Sequence, residues 1–234
     1  MTGAEQRPGL TVEQVARAER RDGVSHPVLS IIEQHLPTIT QLTEEYSQIT
    51  NNQEQQRYIG EHYGFFADAL VEVGAYTMEP TNIVAIWSRA KEVFSGYHRY
   101  ALAGMVAGAY AVQGLDNPDW KRFPRHYLET SELPTEVLGD REGLEHAMRR
   151  LDEIGESLDE LNVYVYGTKE SGMEMGAKLG ARMRDGDTEA EAELEKLIAM
   201  EKERKTPILG EIHENFGNGF TPLYFPIRDA LNLD

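Results

Sequence analysis

From Ile83 to Ala111 the apolar and small side chains fall into one register. Ile83, Trp87, Ala90, Phe94, Tyr97, Ala101, Gly104, Gly108 and Ala111 step by four and three residues in turn. A spacing that averages about 3.5 residues keeps one stripe of a helix against its neighbours, as in knobs-into-holes packing. Ile86, Val93, Tyr100, Met105 and Val112 widen the stripe, so more than one side is expected to be covered. The pattern predicts a long central helix, and it ties the chain to an all-α fold.

Other segments repeat the helical period. Leu29, Ile32, Leu36, Ile39, Leu42, Tyr46 and Ile49 form a first helix, with Ser25 as its cap and Pro27 in the first turn. Pro37 lies inside it and is expected to kink or split it. Ile59, Tyr63, Phe66, Leu70 and Val73 mark a second helix. Leu144, Ala147, Leu151, Ile154, Leu158, Leu161 and Val165 mark another that starts at Asp140. A fifth helix follows over about 170–183, and a charged one over about 188–205.

Two stretches lack that period. Residues 113–135 hold three prolines and an Asn-Pro turn signal, and read as a long connecting loop. Residues 206–234 hold Pro207, Pro222, Pro226 and several glycines, and read as an extended, aromatic-rich C-terminal arm. The expected organisation is an N-terminal arm over 1–24, a bundle of about five to six helices over 25–205, and the arm over 206–234.

Composition narrows the function classes. The chain has 234 residues, 40% of them hydrophobic, with 11 Tyr, 7 Phe and 2 Trp, enough for a real core. It has no cysteine, which removes disulfides, thiolate metal sites, Fe–S ligation and a Cys nucleophile together. A net charge of −17 disfavours binding to nucleic acid or an anionic membrane. The acids outnumber the bases by 40 to 23, and the bases are 16 Arg to 7 Lys. That balance fits adaptation to high salt and an Arg-leaning genome equally. The apolar run Ala101–Val112 is shorter than the roughly 20 residues a bilayer requires, so no membrane insertion is expected. With no signal peptide at the N-terminus, a cytoplasmic or particle-bound location, a virion included, is the expectation rather than secretion.

Glycines are the first candidate functional feature. Gly104 and Gly108 sit one turn apart on the central seam, and Gly172, Gly176 and Gly180 form a second row on the fifth helix. Each helix-interior glycine costs about 1 kcal/mol relative to alanine, so close approach of another backbone is the expected compensation. Packing within one chain, packing between subunits and a flat ligand lying on the glycines all provide it.

Metal chemistry is the second. A ferritin-type di-iron bundle needs Glu-x-x-His on two helices, and that motif does not occur. A looser set, Glu33, His62 and His98 with His35 nearby, flanks the seams and converges if the first three helices pack together. Side chains in such flanking positions ordinarily reach solvent by their tips. Gly-x-Ser-x-Gly, phosphate-loop and dinucleotide fingerprints are missing too. No cofactor is called for.

The third feature is a pair of aromatic segments. Trp120, Arg122, Phe123 and Arg125 form a basic, aromatic cluster in the 113–135 stretch, flanked by acids. It is suited to docking on an acidic face of the same or a neighbouring chain, such as the helix that starts at Asp140, in a region where 129–160 holds eleven acids and three bases. Phe216, Phe220, Tyr224 and Phe225 make the terminal stretch too apolar to stand free in water. These features point to a non-enzymatic structural or interaction subunit of a multi-chain assembly, with further copies or other subunits as partners. The alternatives are a metal-dependent oxygenase of di-iron type and a small-molecule-binding bundle.

Overall fold

Cap residues set the starts of most helices. The computed structural model describes residues 9–22, 26–73, 77–93, 98–130 and 132–233, and the regular structure of the described residues is all helical. Thr11 and Gln14 form a reciprocal capping box on α1 (Val12–Glu19). Pro27 opens α2 (Pro27–Tyr46), which runs unbroken through Pro37 rather than splitting there. The expected cap Ser25 lies outside the described residues, and His26 occupies the cap position without a side-chain capping bond. Asn51 caps α3 (Asn52–Glu72) by accepting from the Gln53 and Glu54 amides.

The central seam is described as two helices, α4 (Pro80–Val93) and α5 (His98–Ala111). Phe94 and Tyr97, expected on the seam, lie outside the described residues. Ile83, Trp87, Ala90, Leu102, Met105, Val106 and Ala107 have no exposed surface, so both helices are covered on several sides. Val15 and Ala18 of α1 pack into the core beside α4, which makes 12–19 part of the bundle rather than an arm.

The long loop is largely a helix. α6 (Pro118–Thr130) starts where Asn117 accepts from the Asp119 amide at 3.0 Å, with Pro118 in the first turn, where its missing N–H costs nothing. Trp120, Phe123 and Tyr127 are spaced by three and four and are buried. Gly60 and Gly64 let α6 lie against α3: an added Cβ would meet Glu129 Cγ at 2.5 Å and Arg125 at 3.0 Å. A short α7 (Thr135–Leu138) leads to α8 (Arg141–Tyr166). Asp140 caps α8 through the Gly143 amide at 2.9 Å and also accepts from the Trp120 indole at 2.9 Å. Gly143 leaves space for that indole, which a side chain there would strike.

The terminal arm is helical as well. After α9 (Gly172–Arg184) and α10 (Glu189–Arg204), Thr206 caps α11 (Pro207–Ala230) by accepting from the Leu209 amide. Leu209, Ile212, Phe216, Leu223, Ile227 and Leu231 are buried, chiefly where α11 lies along α5 and α8. The expected count of five to six helices was too low; eleven are described, because α1, α6, α7 and α11 join the set and the seam counts twice. No helix among the described residues is long and apolar enough to cross a membrane.

Pro222 and Pro226 both lie inside α11, and for Pro226 another helix provides the donor that it removes. Pro226 has no N–H to give to the Pro222 carbonyl one turn back. The Tyr127 hydroxyl of α6 donates to that carbonyl instead. Tyr127→Phe is therefore expected to destabilise the chain by about 1–2 kcal/mol. In a Pro226→Ala background, where the backbone bond is restored, the loss should shrink to a few tenths. Urea unfolding of the four proteins in a double-mutant cycle reads this coupling directly.

Candidate functional site

The glycine rows fall in three different settings. At Gly104 an added Cβ would lie 3.3 Å from the Gly219 carbonyl of α11, and at Gly108 it would lie 3.1 Å from the Pro124 ring of α6. Both rungs thus serve packing within the chain. At Gly172 it would strike the Tyr166 hydroxyl and come within 2.8 Å of Glu201 Oε1. At Gly176 and Gly180 it would meet nothing within 4 Å, so these two face open space.

The aromatic candidates are mostly core. Trp120, Phe123 and Phe216 have no exposed surface, and Trp87 packs edge-on to Phe216 at 5.2 Å. They were expected in a reaching loop and arm; the helical period of α6 and α11 turns them inward. Arg122 is exposed, whereas Arg125 pairs with Asp68 of α3 at 3.1 Å and with Glu129 at 3.2 Å. Its contact is therefore with α3 rather than with the acidic α8. Phe220, Tyr224 and Phe225 form a ring row, with Phe225 44% exposed under the Arg228 guanidinium.

The loose metal set does not assemble among the described side chains. Glu33 lies 3.5 Å from Arg89, and His62 stacks on Tyr58 at 4.0 Å with Nδ1 3.0 Å from the Tyr58 carbonyl oxygen. His35 lies against Phe65 and Phe66, and the His98 side chain falls outside the described residues. Among the described residues no three His, Asp or Glu are grouped to hold a metal ion.

A polar cluster escapes sequence reading because its members are scattered along the chain. Tyr166, ending α8, donates to Glu201 Oε1 at 2.6 Å, and Lys205 Nζ reaches the same oxygen at 2.8 Å and the Tyr166 hydroxyl at 3.1 Å. Burial opposes the charges on Glu201 and Lys205. Their mutual bond and the Tyr166 contacts nevertheless hold the carboxyl below its ordinary range and the ammonium above it. Burial and the Glu201 bond push the Tyr166 phenol up. None of the three is poised to exchange a proton near neutrality, so the cluster acts as a clamp joining α8 and α10. His213 of α11 stacks on Tyr166 at 6.2 Å, and its Nε2 is buried without a hydrogen-bond partner. Burial, then the nearby Lys205 charge, lower its pKa to about 4, against a weaker opposing pull from Glu201.

A further surface feature is the hairpin of α9 and α10. Ser171 and Glu174 form the capping box of α9, and Gly186, at φ 87°, turns the chain into α10. Arg182 bridges Asp187 at 2.7 Å and grips both Glu193 oxygens at 2.6 and 3.1 Å. Met175, Leu179 and Leu197 line a cleft of about 450 Å³ between the two helices. Leu179 is the one buried side chain of α9. The outer face presents Met173 (83% exposed), Gly176, Ala177, Gly180 and Met183 (39%), with Ile198 of α10 54% exposed.

No family model matches this chain, and comparison with curated proteins and with solved structures found no match.

Two outcomes follow from these settings. The unfolded chain protonates His213 near its ordinary pKa of 6.5 and the folded chain only near 4, so stability is full above pH 6.5 and falls as pH drops toward 4. The expected loss is roughly 2 kcal/mol, allowing for partial exposure of the ring. Urea unfolding at stepped pH should show it, and the difference from His213→Phe isolates it from His26, which burial shifts the same way. Separately, Gly176→Ala and Gly180→Ala should each stabilise the isolated chain by about 1 kcal/mol, whereas Gly108→Ala, pressed on Pro124, should destabilise it. Thermal and urea unfolding check both signs.

Proposed function

We propose that the chain is a structural or interaction subunit of a multi-chain assembly, and that the outer face of α9 is its contact surface. The observation that carries this reading is the pair Gly176 and Gly180, helix-interior glycines with nothing of their own chain above them. Each costs helix stability, and inside the chain nothing offsets that cost, in contrast to Gly60, Gly64, Gly104 and Gly108. A neighbouring helix laid on the bare face offsets it by close approach. Exposed Met173 and Met183 support the reading, because flexible apolar side chains adapt to a partner's surface. Contacts through residues 113–135 and 206–234 are not part of the proposal, since α6 and α11 bury their apolar faces at home.

Lys178, with 65% of its side chain exposed, lies on the same helix, on its cleft side, within reach of an amine cross-linker from a partner seated on α9. Amine cross-linking in the native extract, followed by mass spectrometry, should join Lys178 to a second polypeptide, in a particle heavier than the 26.4 kDa chain. Cross-links confined to one chain, in material that runs at monomer mass, would overturn the reading.

A further inference from the structure

We infer that the cleft between α9 and α10 binds a small amphipathic anion, a carboxylate or similar head on a medium-length alkyl chain. This goes beyond the preceding reading, since it concerns the other side of α9 and needs no second polypeptide. Its basis is that the cleft is apolar along its floor and carries an unpaired cation at one end.

The cleft holds about 450 Å³, within the size range of small-ligand sites. Gly186 turns the chain back on itself, so α9 and α10 run antiparallel and the cleft has a direction. Arg182 of α9 and Glu193 of α10 bridge it near the turn. Three and four residues from that bridge, Leu179 and Leu197 are buried in the floor. Seven residues from it on both helices, half-buried Met175 and Met200 line the far end. At about 1.5 Å per residue the apolar floor runs for roughly 10 Å, the reach of a medium-length chain. The methionines adapt to such a chain because the thioether side chain is flexible and polarizable.

Charge decides the head group. Lys178, Arg182 and Lys196 line the cleft against Glu170 and Glu193, in a chain whose net charge is −17. Both carboxylates are already held, Glu170 by Lys178 at 2.9 Å and Glu193 by Arg182 at 2.6 and 3.1 Å. Lys196 makes no ion pair among the described residues, and it stands one turn along α10 from Glu193, at the bridged end. An anionic head placed there pairs with Lys196 and leaves the Arg182 bridge intact, while its chain covers Leu179 and Leu197. A cationic head would meet Lys196 and find neither carboxylate free.

Decanoate is the probe. The purified full-length chain, with isotope-labelled methionine methyls assigned through Met175→Leu and Met200→Leu, is titrated by NMR. The Met175 and Met200 methyl signals should shift saturably, with a Kd on the order of 0.1 mM. Met173, 83% exposed on the other side of α9, should stay still. Decanol and decyltrimethylammonium supply the neutral and cationic arms, and the cation should bind at least about tenfold more weakly than decanoate although the chain is acidic. Lys196→Gln, at an exposed position, should weaken decanoate about fivefold and leave decanol unchanged. Vesicles of phosphatidylcholine and phosphatidylglycerol separate a free acid from a membrane surface: the chain should not sediment with them. Unmoved Met175 and Met200 signals overturn the inference. So do a cation that binds as well as decanoate, a Lys196→Gln variant with unchanged decanoate affinity, and vesicle binding in place of decanoate binding. If Lys178 cross-links to a second polypeptide in the native extract while decanoate leaves the cleft methionines unmoved, this inference falls and the interaction reading stands. Decanoate binding without such cross-links has the opposite outcome.

Discussion

The fold depends on how closely α11 and α6 can approach α5. Gly104 lets the Gly219 carbonyl of α11 come within 3.3 Å of where a side chain would begin, and Gly108 accepts the Pro124 ring of α6. With those two rungs filled, α5 is buried on the sides that matter, and its apolar run needs no partner from outside. The same contact explains the prolines. α6 lies where Tyr127 can serve the carbonyl that Pro226 leaves without a donor, so α11 continues through residues that would end an isolated helix. Trp120 completes the join by linking α6 to the Asp140 cap of α8.

Much of this architecture is legible in the sequence where the period is unbroken. Most residues of the stripes of α2, α3, α4 and α8 fall inside as their spacing requires, with Leu36, Ile49, Val73 and Leu158 half-buried, and Asp140 caps as expected. Residues 113–135 and 206–234 are largely helical although their prolines read locally as breakers. Pro118 and Pro207 in fact stand in first turns directly after Asn117 and Thr206, a start signal present in the sequence. The Trp120, Phe123, Tyr127 spacing and the Leu209, Ile212, Phe216 spacing were also there to be counted. Pro226 was not decipherable in this way, because Tyr127, which supplies the donor it lacks, is nearly a hundred residues away in sequence.

The candidate site was legible in part. The glycine row of α9 stands out in the sequence, but glycine alone does not say what covers it: Gly172 is pressed on Tyr166, whereas Gly176 and Gly180 are bare. Gly60 and Gly64, equally spaced on α3, seat α6. The clamp of Tyr166, Glu201, Lys205 and His213 had no local signature, since its members meet only after α8, α10 and α11 have packed. Through that clamp the hairpin of α9 and α10 is fixed to the bundle.

Amide hydrogen exchange along α11 tests the account most directly. If α11 is held by α5, α6 and α8 as described, the amides from Leu209 to Leu231 that bond within the helix exchange only on global unfolding, as slowly as those of α5. Exchange over 207–230 at the rate of an unstructured chain would contradict the account, because the glycine rungs of α5 would then have nothing lying on them.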